Sequence, residues 1–151
     1  MQQDRPDRIP LFIPAEQAST LKVGGAIRQV KIDSQHTNGD IYVVEGVMPP
    51  GSEVPLHVHT HEDEIFHVLE GEVELILGEQ QIIGKAGDMT YLPRGVPHAI
   101  KALGEHPARV LNYVFPGRNF EILFKKLSSL PPDAGKEQKE LTAGEHGVRF
   151  L

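Results

Sequence analysis

The stretch that decides the fold is Gly51–Gly71, GSEVPLHVHTHEDEIFHVLEG, which joins closely spaced histidines to an acidic turn and an apolar run. His57 and His59 are two residues apart, so both imidazoles point to the same face if this segment is a β-strand. Glu64 begins the apolar run that follows. If the chain reverses across residues 60–63, Glu64 returns beside the histidine pair. The stretch therefore predicts two strands that bring a chelating set of side chains together.

A second stretch, Gly87–His98, reads GDMTYLPRGVPH and supplies a third histidine. Gly87 and Gly95 are typical of turns, and His98 begins another short apolar run. In a small barrel these strands can direct His98 to the same interior point as the first pair. Three imidazoles and one carboxylate suit one divalent transition metal, and the sequence does not choose among Fe, Mn, Ni, Cu, Co and Zn. Four protein ligands leave up to two positions of a six-coordinate metal open to substrate.

Short apolar runs of strand length recur along the chain, and turn residues separate them. The runs are Leu11–Ile13, Ile41–Val47, Ile65–Leu69, Val73–Leu77, Gln81–Ile83, Met89–Leu92, His98–Ala102 and Arg109–Phe115. Because no helical pattern lies between them, they predict an all-β fold built as an antiparallel barrel or sandwich. The N-terminal segment Ile9–Pro14 is expected to add an edge strand, either to its own sheet or to that of a neighbouring subunit.

The pattern changes after Gly117, where a helix is predicted. Apolar residues recur at helical spacing at Phe120, Leu123, Phe124 and Leu127. Asn119 is the expected N-cap, because its side chain can accept a hydrogen bond from the first turn. Pro131 and Pro132 then end this short C-terminal helix.

The remaining tail is mostly polar, with a second short helix expected around Lys136–Leu141. The chain ends in an apolar segment, Val148–Leu151, which is expected to dock on the barrel. We therefore expect one domain over residues 1–151. Its barrel core would occupy about 20–116, and its C-terminal helix and tail 117–151.

Composition excludes several classes of function. The net charge is −6 and lysines and arginines are not clustered, so nucleic-acid binding is not expected. The chain has no cysteine, which excludes disulfides, thiolate ligands and a cysteine nucleophile. No segment is apolar for long enough to span a membrane, and the first ten residues do not resemble a secretion signal. A cytoplasmic protein with a small-molecule partner is expected.

Five of the eight histidines lie between residues 57 and 98. His61 continues the alternation of the first pair, but a place in the loop at the barrel mouth is favoured over a ligand role. His67 follows Glu64 by three residues, which places it on the opposite strand face in a structural or interface role. Solvent exposure is expected for His36, His106 and His146. Either cavity lining or ordinary core is expected for Phe66, Val68 and Tyr42.

The two stretches resemble the two motifs of the cupin superfamily. In the first motif the glycine, His-x-His, glutamate and final glycine positions are filled by Gly51, His57, His59, Glu64 and Gly71. The second motif is matched at Gly87, Pro93, Gly95 and His98, with Ala102 where the family pattern has asparagine. The motif spacing selects Glu64 over its neighbours Glu62 and Asp63. The resemblance implies a jelly-roll barrel, or double-stranded β-helix. It also implies one metal ion held by His57, His59, Glu64 and His98.

A looser resemblance extends over Glu53–Leu127 and the tail Gly144–Leu151, which are similar to single-domain relatives of quercetin 2,3-dioxygenase. It implies a metal-dependent dioxygenase or related oxidoreductase acting on a small aromatic or enolic molecule, with Glu64 as the candidate catalytic base. Two alternatives remain: a non-oxidative isomerase, lyase or decarboxylase, and a barrel that binds a small molecule without turnover. The resemblance also implies a homodimer, with strands such as Leu11–Ile13 exchanged between subunits.

Overall fold

A computed structural model describes residues 9–151 and contains eleven strands and two α-helices over that range. The strands are β1 Ser19–Val23, β2 Ala26–Ile32, β3 Tyr42–Met48, β4 Glu53–His59, β5 Asp63–Glu70, β6 Glu72–Leu77, β7 Gln80–Lys85, β8 Met89–Leu92, β9 His98–Leu103, β10 Ala108–Phe115 and β11 Val148–Phe150. The helices are α1 Arg118–Ser129 and α2 Lys136–Gly144, and short 3-10 turns lie at Ala15–Gln17 and Ser34–Thr37. No helix within residues 9–151 is both long and apolar enough to cross a membrane.

The strands form two antiparallel sheets. One has six strands in the order β1-β2-β3-β10-β5-β8, and the other has five in the order β11-β4-β9-β6-β7. From β3 onward the chain passes from one sheet to the other at almost every connection, which is the jelly-roll arrangement. The predicted all-β jelly-roll fold is confirmed.

The main core lies between the sheets because alternate residues of each strand point inward. Every second residue of β10 is buried, and β5 shows the same alternation. The buried apolar cluster includes Phe66, Val68, Val73, Leu75, Ile100 and Val110. Val68 is therefore a core residue, whereas Phe66 belongs to the core and also borders a cavity.

Helix α1 packs an aromatic face against the six-stranded sheet, which confirms the predicted helix. Phe120 and Phe124 lie against Tyr42, with each ring centroid 6.2 Å from that of the tyrosine, so Tyr42 belongs to this second core. The predicted N-cap is wrong, because the helix is preceded by Gly117 and Asn119 lies inside the first turn. A Cβ at position 117 would lie 2.5 Å from the backbone nitrogen of Tyr42, so this close approach requires glycine.

The C-terminal tail docks on the five-stranded sheet, as expected. Strand β11 pairs antiparallel with β4, placing Val148 opposite His59 and Phe150 opposite His57. Helix α2 packs its buried Ala143 against Leu123 and Val148. The last residues thereby complete the sheet that carries the first histidine pair.

Two segments of the N-terminal region differ from the sequence prediction. The hairpin β1–β2 was not predicted, because charged residues interrupt both of its strands and its outer strand is largely exposed. The predicted strand at Leu11–Ile13 is absent from residues 9–151, and Phe12 there is 87% exposed. Pro10 and Pro14 flank it and have no N–H group for a strand ladder. The part of the expected domain before residue 9 lies outside the described residues.

Candidate metal centre

The four predicted ligand residues meet between the two sheets. His57 and His59 project inward from β4, and His57 is the direct cross-strand neighbour of His98 on β9. Glu64, near the start of β5, approaches from the opposite sheet. All four side chains are buried, and one donor atom from each lies within 4.8 Å of the other three. The side chains predicted from the strand period and from the two distant stretches therefore meet at one point.

Each of the three imidazoles is oriented through its Nδ1 atom. Nδ1 of His57 lies 2.7 Å from the carbonyl oxygen of Pro55, and Nδ1 of His98 lies 3.2 Å from that of Val96. Nδ1 of His59 lies 3.2 Å from a carboxylate oxygen of Glu62. Because these oxygens only accept hydrogen bonds, each Nδ1 carries the proton. The lone pair on each Nε2 is then free to bind a metal.

The atoms at the centre of the cluster fit a bound cation. Nε2 of His59, Nε2 of His98 and Oε2 of Glu64 are buried and have no hydrogen-bond partner. Oε2 of Glu64 is 2.9 Å from Nε2 of His98 and 3.4 Å from Nε2 of His59, close contacts that are not aligned as hydrogen bonds. Donors that share one metal through bonds of about 2.1 Å stand about this far apart. Since unpaired buried polar atoms are costly, a cation here would satisfy all three.

The protonation states also suit a metal centre. Burial, together with repulsion from His98 and His59, lowers the pKa of His57 to about 4, so this imidazole is neutral at pH 7. Burial alone would raise the pKa of Glu64. Attraction to His59, the proximity of His98 and a hydrogen bond from Asn112 outweigh that effect and lower the pKa of Glu64 to about 2. The carboxylate is therefore ionised across the physiological range.

His59 is held differently from the other two imidazoles. Burial lowers its pKa, but attraction to Glu64 and a hydrogen bond to Glu62 outweigh burial, so the pKa of His59 is raised overall. Binding of a metal at Nε2 would oppose this protonation, so metal and proton compete for Nε2 of His59.

Comparison with known proteins identifies the family. The family model described as the Cupin domain matches residues 44–114, which include all four residues of the cluster. An uncharacterized protein of Methanocaldococcus jannaschii is 30% identical over 100 residues, covering 66% of this chain and 80% of that protein. The chain belongs to the cupin family.

Two further proteins are similar to this cupin. The quercetin 2,3-dioxygenase of Bacillus subtilis is 26% identical over 112 residues, which cover 74% of this cupin and 33% of the enzyme. This cupin thus spans about a third of that enzyme's length. The solved structure of KdgF from Halomonas sp. superposes with a TM-score of 0.67 over 75% of this cupin and 99% of KdgF, at 22% identity. The superposition shows a common fold.

Glu62 is the residue of the candidate site whose contacts the sequence did not indicate. Its side chain is fully buried, and one carboxylate oxygen holds Nδ1 of His59. The other oxygen accepts a hydrogen bond of 2.6 Å from Nδ2 of Asn119 on α1. Asn119 also donates to the carbonyl oxygen of His146, and Nδ1 of His146 lies 2.8 Å from Oδ1 of Asn119. We call these four residues, His59, Glu62, Asn119 and His146, the relay. The relay links the candidate metal centre to helix α1 and to the turn before β11.

The other histidines mostly follow expectation. His36, His61 and His106 are exposed, and His61 lies in the turn between β4 and β5. His67 is half-buried on the outer face of β5, opposite the face that carries Glu64. The expected exposure of His146 is wrong, because its ring is part of the relay and its Nε2 is buried.

A cavity of about 420 Å³ opens beside the metal centre. Its walls are mostly apolar and come from both sheets, both helices and β11. Lining residues include Met48, Phe66, Val110, Leu123, Phe124 and Phe150. The volume is within the range of cavities that hold small organic ligands. The cluster therefore faces a space in which a small molecule can approach Nε2 of His57 and the carboxylate of Glu64.

Proposed function

We propose that this cupin is a metal-dependent oxidoreductase, a dioxygenase of the quercetin 2,3-dioxygenase type, that acts on a small aromatic or enolic molecule. The observation that carries the proposal is the set of buried, unpartnered donor atoms of His59, Glu64 and His98 beside a mostly apolar cavity. A donor set that served only the stability of the fold would pair its polar atoms with one another.

His57, His59, Glu64 and His98 would hold one divalent transition metal. The bound metal would supply Lewis acidity and coordination positions at which a substrate oxygen and dioxygen can meet. The protein's part is to hold three imidazoles with Nε2 directed inward, through the Nδ1 contacts to Pro55, Val96 and Glu62.

We propose that Glu64 also accepts the proton of the substrate hydroxyl. Its Oε1 accepts a hydrogen bond of 3.0 Å from Nδ2 of Asn112 on β10. Its Oε2, which has no hydrogen-bond partner, would bind the metal and could receive the proton on shifting away from it. With a pKa lowered to about 2, Glu64 is ionised and available, but it is a weak base. The hydroxyl of an enol or phenol is more acidic than that of an aliphatic alcohol, so it is the easier proton donor to this carboxylate.

The cavity supports an aromatic or enolic substrate through its walls. Phe66, Phe124 and Phe150 border it from three different elements. Flat apolar walls contact an aromatic ring over a large area and exclude water from the reacting atoms.

Oxygen uptake tests this proposal directly. The protein is loaded separately with Fe, Mn, Ni, Cu or Co and supplied with flavonols and simpler enols. Consumption of one dioxygen per substrate by wild type, and its loss in Glu64→Gln that still holds metal, would support it. No turnover with any metal would overturn the dioxygenase proposal. Turnover that persists without oxygen would point to the isomerase, lyase or decarboxylase alternative, and unchanged recovered ligand to a binding barrel.

We also propose that residues 1–151 act as one domain and that two copies associate. Strand β11 completes the sheet that carries His57, and α2 lines the cavity, which supports a single functional unit. The exposed apolar side chains Ile9 and Phe12 support an N-terminal contact between copies. A monomeric mass by light scattering at micromolar concentration would contradict the dimer.

A further inference from the structure

One charged side chain in the cavity wall has no role in the metal centre. Arg28 lies on β2 and borders the same cavity as Glu64 and Phe66. Its Nε is buried without a hydrogen-bond partner, and no carboxylate within residues 9–151 forms an ion pair with it. The cavity walls around it are mostly apolar, so this guanidinium is a charged group in an apolar environment.

The fold makes space for this guanidinium at one position of the neighbouring strand. Arg28 is the direct cross-strand partner of Gly46 on β3. A Cβ at position 46 would collide with Nη1 of Arg28, so the guanidinium lies across β3 where that strand has no side chain. The far side of the group faces Phe124, whose ring centroid is 5.9 Å from Cζ. A glycine and an aromatic ring thus hold the cation on the inner face of the sheet.

Two other arginines within residues 9–151 have acidic partners, whereas Arg28 has none there. Arg94 pairs with Asp63, and Arg109 pairs with Glu45 and Glu70. Burial lowers the pKa of Arg28, and attraction to Glu64 only partly opposes this effect. A guanidinium that is half-buried, has a buried unpaired Nε and lacks an ion-pair partner within residues 9–151 favours an anionic ligand.

We propose that Arg28 binds a carboxylate group of the substrate, so that the substrate class is a small aromatic or enolic acid. This inference rests on the proposed function in one respect, namely that the cavity is the substrate site. The guanidinium offers its planar N–H fork to both carboxylate oxygens, and the ring of the acid then lies against the apolar walls facing the metal centre.

The test uses a matched pair of probes, 2-naphthoate and 2-naphthamide, which share a ring system and differ in charge. Binding is measured by isothermal titration calorimetry or ligand-observed NMR on metal-free and zinc-loaded protein. We expect wild type to bind the acid at least about tenfold more tightly than the amide in both forms, because a charged bidentate pair forms only with the acid. Persistence of the preference without metal separates Arg28 from coordination by the metal.

Three variants decide the source of that preference. Arg28→Met should abolish it and leave amide binding nearly unchanged, whereas Lys101→Met, which removes an exposed charge on β9, should retain it. Gly46→Ala keeps every charge but displaces the guanidinium, so it should also lose the preference. Circular dichroism checks that each variant is folded, and if Arg28→Met is not, Gly46→Ala decides the outcome.

Equal binding of acid and amide by wild type, or an unchanged preference in a folded Arg28→Met or Gly46→Ala protein, would overturn the inference. The proposed function fails separately. If oxygen uptake is absent but the preference for the acid is intact, the dioxygenase proposal is overturned and the carboxylate site stands. If oxygen is consumed but acid and amide bind equally, the carboxylate site is overturned and the dioxygenase proposal stands.

Discussion

The relay makes a quantitative prediction about Glu62, which contacts a candidate metal ligand without being one. Its two oxygens accept from Nδ1 of His59 at 3.2 Å and from Nδ2 of Asn119 at 2.6 Å, and its side chain is fully buried. Glutamine at this position has one oxygen, so Glu62→Gln can serve only one of the two donors and turns an N–H group toward the other. Loss of an outer contact to a metal-bound histidine typically reduces metal affinity about 10–100-fold. We expect a loss of that size, equivalent to roughly 1.4–2.8 kcal/mol.

Competition with a chromophoric chelator measures this change for Zn or Mn. The matched control is Glu79→Gln, which makes the same chemical change at an exposed turn and should bind metal like wild type. Nitrogen-15 shifts of the His59 ring supply a second readout, because wild type should show a protonated Nδ1 and the variant a mixture of tautomers. Unchanged affinity together with an unchanged tautomer in Glu62→Gln would refute the argument that Glu62 orients His59.

Three further predictions concern residues around the same site. In metal-free protein the pKa of His57 is about 4, against about 6.5 in the unfolded chain. The unfolded state therefore takes up its proton first, and stability falls as pH decreases from 6.5 to 4. The expected loss is about 3 kcal/mol in urea unfolding; a His57→Phe variant with the same pH dependence as wild type would contradict this. Phe120 is 4% exposed and its ring centroid is 5.5 Å from that of His59, so Phe120→Ala should cost about 3–5 kcal/mol of stability. A loss below 1 kcal/mol would show that the helix face is not packed as described. Asp63 pairs with Arg94 at the surface, so Asp63→Asn should leave metal affinity within about twofold of wild type. A tenfold loss of metal affinity would indicate that Asp63, and not Glu64, is the ligand.

The sequence was most informative where local periodicity and motif spacing apply. The two-residue spacing of His57 and His59 is enough to place both rings on one face of β4. The short apolar runs predicted most strands because their residue pattern matches the alternate burial of a strand, as in β5 and β10. Helix α1 was predicted for the same reason, since its apolar residues recur at helical spacing.

The parts that could not be predicted depend on contacts between distant segments. Glu62 lies in a turn, where strand alternation does not say which of three consecutive acidic residues points inward. Its partner Asn119 is 57 residues away, and only the packing of α1 brings the two together. The inward orientation of Arg28 could not be predicted either, because a charged residue in a strand is ordinarily assigned to the outer face. Arg28 can point inward because Gly46 has no side chain, and Gly46 lies beside Arg28 only when β2 and β3 are paired.

Metal stoichiometry tests the central claim, that His57, His59, Glu64 and His98 together hold one ion, most directly. Elemental analysis of the purified protein, followed by calorimetric titration of the stripped protein with Zn or Mn, gives both occupancy and affinity. We predict one metal ion per chain for wild type and for His61→Ala, an exposed histidine in the same segment, and loss of tight binding in His98→Ala. Substoichiometric binding by wild type, or equal binding by the wild-type and His98→Ala proteins, would contradict the account.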